Sequence, residues 1–318
     1  MTKFLKLLNF FIPGNGRISV LAIKTFLNTA IQQIKRELFD IVNFDETKHK
    51  KIERFKPSDE TVEWMHEVVQ ELYAGMLSHV PDSKKFTPIE LKSIFTRILK
   101  EEFEGAADDW SVEIETAKCI NVKTTEKKIV INEDRKETSS AVARKLVVHE
   151  IGVHVLRSVM GSDTDIHPLA NGINEYYESE EGIAKVMEQS LKGKFVEAGI
   201  DHYITAGAAY FDHKDFRDIF EMKWRVEALE LIDESGEISD EIIEKAKKAA
   251  YSDTMRFLRG TDELPWFKDL AYYNGTVDMW KYFEAIRGDD IKFTFVLLGK
   301  ANPSDIEHER VLYDSRTK

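Results

Sequence analysis

His149-Glu150-Ile151-Gly152-Val153-His154 lies inside an apolar run, with Leu146-Val147-Val148 before it and Val155-Leu156 after it. Two imidazoles and a carboxylate are costly to bury in such a helix unless something compensates them, and a divalent metal ion would do so. The pattern is one residue longer than His-Glu-x-x-His, the helix-borne zinc signature in which both histidines share a face. On a straight helix residues i and i+4 diverge by about 40°, but the five-residue step from 149 to 154 opens about 140°. That is too wide for two ligands of one tetrahedral ion. A metal site here therefore requires a local widening of the helix, a π-type bulge, which Gly152 makes easier. Glu150 neighbours a ligand without needing to be one, and is placed to take a proton from water activated by the metal.

A catalytic zinc usually takes three protein ligands and leaves one position open. His167 lies 167 − 154 = 13 residues on, in the loop Asp163–Pro168, a spacing that does not fit the shorter three-histidine pattern. The acidic residues Glu175, Glu178, Glu180 and Glu181 lie on the next helix, which can cross the first and present a carboxylate. A wheel anchored on Ile183, Ala184, Met187 and Leu191 puts Glu180 in the middle of the apolar face and Glu181 at its flank. Burial alone favours Glu180, and periodicity takes the choice no further.

Outward from the motif, Thr138-Ser139-Ser140 offers an N-cap for a helix running to Met160, closed by Gly161. Before it, Ser111–Glu115, Ile120–Lys123 and Lys128–Ile131 alternate polar and apolar residues and predict two or three short strands. Earlier still, apolar residues recur at helical spacing from Ile18 to about Phe44 and from Ser58 to Val80. Thr87-Pro88-Ile89-Glu90 forms a capping box that starts a helix to about Phe103. The expected fold class is α+β, mainly helical, with a small antiparallel sheet beside the histidine-bearing helix. Residues 1–105 read as an N-terminal helical region and 106–318 as the catalytic region, the whole as one compact unit.

The chain has 318 residues, 42% of them hydrophobic, enough for a full core. A formal net charge of −12 argues against a nucleic-acid or anionic-membrane partner. The single cysteine, Cys119, rules out an intramolecular disulfide and fits a reducing compartment. The apolar stretch Phe4–Ile12 is short, carries Lys6 and Asn9, and leads into Pro13-Gly14-Asn15-Gly16, so it reads as an amphipathic or buried segment. A cytoplasmic protein is expected.

Three blocks in order resemble the tyrosine carboxypeptidase family, which includes bacterial proteins with a Gln-Glu-Gly-Leu-Ala motif. They are His149-Glu150-Ile-Gly-x-His154-x-Leu-Arg157, then Glu181-Gly182-Ile183-Ala184, then Arg256-Phe-Leu-Arg259-Gly260-Thr261 with Phe267-Lys268-Asp269-Leu-Ala-Tyr272-Tyr-x-Gly275. The similarity spans about Trp110 to Leu298. Where the family motif carries glutamine this chain has Glu180, and Val153 precedes the second histidine where the family often has threonine.

The resemblance implies a zincin-like fold of the gluzincin type and one Zn2+ held by His149, His154 and Glu181, with Glu150 as catalytic base. Gly182 would let its helix approach the metal, and Glu180 would hydrogen-bond a ligand histidine. The implied activity is removal of a C-terminal residue, tyrosine or another aromatic, from a peptide or protein. That requires a cation for the terminal carboxylate, for which Arg256, Arg259 and Lys268 are candidates, with Arg157 and Tyr272 behind them. A tubulin substrate does not follow automatically, since acidic tails would need a local basic groove on an acidic chain. The alternatives are an endo- or aminopeptidase on the same scaffold, or a catalytically silent zinc-stabilised binding protein. Retention of Glu150 argues against the last.

Overall fold

The computed structural model describes residues 55–173, 176–210, 212–232, 238–259 and 265–303. The expected helix over 18–44, the stretch over 4–12 and Glu175 lie outside them. Contacts among the described residues separate into two compact units, one of residues 55–199 with 268–303 and one of residues 200–267.

The first unit begins with α1 (Asp59–Leu72), where the Ser58 side chain accepts from Thr61 N and Asp59 and Glu60 occupy the first turn, as the helix dipole favours. A short α2 (Ala74–Ser78) and strand β1 (Lys85–Phe86) follow. Helix α3 (Pro88–Glu101) starts with the expected capping box: Thr87 accepts from Glu90 N, and Glu90 accepts from Thr87 N. The helices over 59–101, set apart in sequence from the region after 105, share this unit with the histidine-bearing helix.

Strands β2 (Ser111–Glu115), β3 (Asn121–Lys123) and β4 (Lys128–Asn132) form where alternation predicts them. Their pairing corrects the expected antiparallel sheet. The order is β2-β4-β3, with β4 antiparallel to β3 but parallel to β2. Residues 116–127 return the chain to the starting end and place β3 on the far side of β4, so no meander forms. Alternation identifies strands but does not encode their order. A further strand, β5 (Thr138–Ser139), pairs antiparallel with β1.

Helix α4 (Ser140–Leu146), capped by the Ser139 side chain, runs directly into a π-helix over Val147–Val155 and on into α5 (Leu156–Ser162). The widening required by the five-residue histidine spacing is therefore present. Gly152 makes room for Tyr73 against this segment. A Cβ there would lie 2.6 Å from Tyr73 Cε1, and the buried Tyr73 hydroxyl donates to Gly152 O at 2.9 Å.

Helix α6 (Tyr176–Ser190) packs on this π-helix. The core joining them includes Met65, Val69, Phe95, Ile151, Ile183 and Met187, all fully buried.

The second unit contains α7 (Ile200–Tyr210), α8 (Phe216–Glu230) and α9 (Asp240–Leu258). They close on a small core of Ala208, Ala209, Ile219 and Leu258.

The chain completes the first unit with α10 (Leu270–Ile286) and α11 (Asp290–Leu297). Trp280 and Phe283 of α10 are buried in its main core. Helices α6 and α10 approach closely enough that a Cβ at Gly182 would lie 2.1 Å from Gly275 O, and one at Gly275 2.0 Å from Glu178 O. Glycine at 182 thus permits close helix–helix contact with α10. No helix among the described residues is long and apolar enough to cross a membrane.

Candidate metal centre

The π-helix turns His149 and His154 to the same side, their rings edge to face with centroids 5.0 Å apart. Glu181 reaches them from α6, its Oε2 3.7 Å from His149 Nε2. One ligand-capable atom of each of His149, His154 and Glu181 lies within 4.8 Å of the other two. Of the third-ligand candidates weighed in the sequence, it is Glu181 that stands in this group. Glu180, favoured by the wheel, turns to the back of His154. The wheel assumed one buried face, but α6 is buried on nearly every side between the π-helix and α10, so both glutamates are inside. His167 opens a 3-10 turn, His167–Ala170, and does not join the cluster.

Each ring's other nitrogen faces a carboxylate. His154 Nδ1 is 2.9 Å from Glu180 Oε1, and His149 Nδ1 is 3.5 Å from Glu188 Oε2. Both carboxylates are themselves anchored. Glu180, 2% exposed, takes charge-assisted hydrogen bonds from Arg157 and Lys300. Arg157, 1% exposed, also donates to Val296 O at 2.8 Å and Ala301 O at 2.7 Å. Its guanidinium is thus taken up behind His154, which fits support of the histidine rather than capture of a substrate carboxylate. Glu188 receives Lys145 Nζ at 2.8 Å and Lys185 Nζ at 3.0 Å.

Burial by itself would push the His149 imidazole down, but the Glu181 and Glu188 carboxylates outweigh it and lift it to about 9. Burial also works to raise the three glutamates. For Glu180 it is overcome by Arg157 and Lys300, and for Glu181 by His149 and His154. For Glu188 it is overcome by His149, Lys185 and Lys145, so all three lie below the usual carboxylate range. Glu150 differs. It is 9% exposed and has no hydrogen-bond or ion-pair partner among the described residues, only the electrostatic influence of its charge on His149.

Of the substrate-side candidates, Lys268 and Tyr272 come together in this unit around Tyr177. Exposed Lys268 lies over the Tyr177 ring with Nζ 5.0 Å from its centroid. The Tyr177 phenol is pushed well above its ordinary value by burial, by the charge of Glu181 and by hydrogen bonding with Tyr272. Arg256 and Arg259 belong to the second unit, both exposed, with the Arg259 guanidinium stacked 5.0 Å from the Trp266 ring.

Sequence reasoning passed over Glu188, its two lysines, Lys300 and Tyr177. A signal for two of them existed. Glu188 follows Glu181 by seven residues, two helical turns only about 20° out of phase, and Tyr177 precedes it by four.

No curated protein matches the chain. The family model for the microtubule-associated tyrosine carboxypeptidase matches residues 49–316, which extends the likeness well before Trp110. The chain belongs to that family.

Proposed function

We propose that the protein is a zinc-dependent carboxypeptidase of the zincin-like, gluzincin type, which removes a C-terminal tyrosine or other aromatic residue from a peptide or protein. The observation that carries it is the convergence of His149, His154 and Glu181 within 4.8 Å, with Glu150 beside them. Family membership supports the carboxypeptidase activity.

The donor set fits zinc: two imidazoles and one carboxylate are three ligands that leave a coordination position free. Tetrahedral bonds of about 2.0–2.2 Å put ligand atoms roughly 3.3–3.6 Å apart, close to the 3.7 Å between His149 Nε2 and Glu181 Oε2. Bound there, zinc would polarise the scissile carbonyl and make water nucleophilic near neutral pH. Glu150, without a hydrogen-bond or ion-pair partner among the described residues, would take the proton of the attacking water and deliver it to the departing amine, so it ends the cycle as it began. Glu180 would hold His154 with Nε2 facing inward. Lys268 is the candidate for the terminal carboxylate, with Tyr177 and Tyr272 beside it as phenolic donors to the substrate.

The test profiles a peptide library by mass spectrometry alongside metal analysis. About one zinc per chain and loss of single C-terminal residues are expected, with Glu150→Gln retaining the metal and losing cleavage. Internal cuts would replace the carboxypeptidase assignment with an endopeptidase. Protein that takes up no zinc would remove the metal mechanism.

A further inference from the structure

Behind His149, on the side away from Glu181, stands a carboxylate held by two cations. Glu188 lies two turns along α6 from Glu181, its side chain 17% exposed, with Oε2 3.5 Å from His149 Nδ1. Lys145 from α4 donates to Oε1 at 2.8 Å and Lys185 from α6 donates to Oε2 at 3.0 Å. One carboxylate thus ties together two helices and a ligand-bearing ring. An isolated helix-surface ion pair would need only the i,i+3 partner, Lys185.

A neutral imidazole carries one N–H, and the group that accepts it determines which nitrogen keeps a free lone pair. With a metal held at Nε2, on the Glu181 side, the ring's remaining proton would sit on Nδ1, facing the Glu188 carboxylate. His154 is arranged in the same sense, with Glu180 Oε1 2.9 Å from its Nδ1. Helix α6 therefore supplies a ligand, Glu181, and one backing carboxylate for each histidine.

We propose that Glu188, anchored by Lys145 and Lys185, is a positioning residue that locks His149 with Nε2 toward the metal and so sets how tightly the centre holds a divalent cation. This rests on the zinc site proposed above. The carboxylate also raises the basicity of the ring it accepts from, and the lysines keep it aimed at His149 instead of turning to solvent.

Full-length apo protein is titrated with zinc against a chromophoric chelator, for wild type, Glu188→Gln and Lys145→Gln. Apo melting temperatures and cobalt(II) absorption spectra are recorded in parallel. Glu188→Gln is expected to weaken zinc binding by about 10- to 100-fold and alter the cobalt spectrum, with the apo melting temperature little changed. Lys145→Gln should weaken it in the same direction by less. A purely structural Glu188 would do the reverse, lowering the melting temperature and leaving the affinity of the folded protein alone, and that result overturns the assignment. Affinity of Glu188→Gln within about twofold of a tightly binding wild type also overturns it, while the zinc reading survives. Should Glu188→Gln not fold, Lys145→Gln decides, and unchanged affinity there overturns the assignment. Wild type that binds no zinc at all removes the zinc reading and this role together.

Discussion

Replacing Glu180 with glutamine keeps the side chain's size and removes its charge, which the surrounding residues make expensive. Arg157 and Lys300, which Glu180 neutralises, are 1% and 3% exposed, so neither can turn to water. Arg157 keeps its bonds to Val296 O and Ala301 O, but among the described residues Lys300 is left with only the Tyr176 ring, 5.9 Å from its ammonium. Removing one partner of a buried pair costs about 3–5 kcal/mol, a large share of a typical total of about 5–15 kcal/mol. At about 2–4 °C per kcal/mol, the melting temperature should fall by about 6–20 °C. Urea unfolding of wild type, Glu180→Gln, Lys300→Met and the double variant closes a cycle. Lys300→Met should cost about 1–3 kcal/mol less in the Glu180→Gln background than in wild type, because it then removes an uncompensated cation. The pH dependence has a definite sign. The folded protein holds the Glu180 carboxyl below its ordinary value of 4.5, so its contribution is complete above that value and fades as pH falls toward the lower folded one. The stability gap between wild type and Glu180→Gln should hold from neutral pH to about 5 and narrow under more acid conditions. A loss below about 1 kcal/mol at pH 7, strict additivity in the cycle, or a gap that widens on acidification would refute the account.

Gly182→Ala places a methyl 2.1 Å from Gly275 O, on backbone that cannot swing away. Overpacking of about 1–3 kcal/mol or more should exceed the roughly 1 kcal/mol of helix propensity gained, and a variant as stable as wild type in urea would show that α6 and α10 are not in contact there. Tyr73→Phe leaves Gly152 O without its donor and should cost about 1–3 kcal/mol by thermal unfolding. Lys268→Ala should raise KM by about 10- to 100-fold for peptides with a free C-terminal carboxylate, the equivalent of one charge-assisted hydrogen bond. Its effect should vanish on C-terminally amidated peptides, and an equal effect on both would place Lys268 elsewhere.

The cluster was legible where chemistry depends on counting along one element. A five-residue interval between histidines either leaves them about 140° apart or requires an i→i+5 backbone, and the π-helix over Val147–Val155 is the second case. The capping box at Thr87–Glu90 and the strand segments were legible for the same reason, since each is written within a few consecutive residues. The mixed order of the small sheet was not, because parallel pairing of β2 with β4 depends on where residues 116–127 carry the chain, and alternation is silent on that. Nor could sequence separate Glu180 from Glu181 on the wheel. A wheel discriminates only when one face of a helix meets water, and α6 has almost no such face.

That failure has a physical content of its own. Burying charged carboxylates on a helix covered all round is costly unless they are matched, and three of the four glutamates of α6 are matched in different ways. Glu181 faces two imidazoles, Glu180 is matched by Arg157 and Lys300, and Glu188 by Lys145 and Lys185. For Glu180 and Glu188 the compensating cations are present in the chain itself. Glu181 has no lysine or arginine partner among the described residues, only two rings whose other nitrogens already face carboxylates. Four acidic side chains, Glu150 included, thus surround two histidines, and among the described residues the lysines and the arginine bond to those at the back, Glu180 and Glu188. The front, where Glu181 and Glu150 lie beside His149 and His154, holds two carboxylates with no lysine or arginine bonded to them among the described residues in a largely buried setting, an arrangement that a divalent cation would complete. The extra residue between the histidines therefore does more than mark a family. It turns both rings toward Glu181, the carboxylate of this group that has no lysine or arginine partner among the described residues.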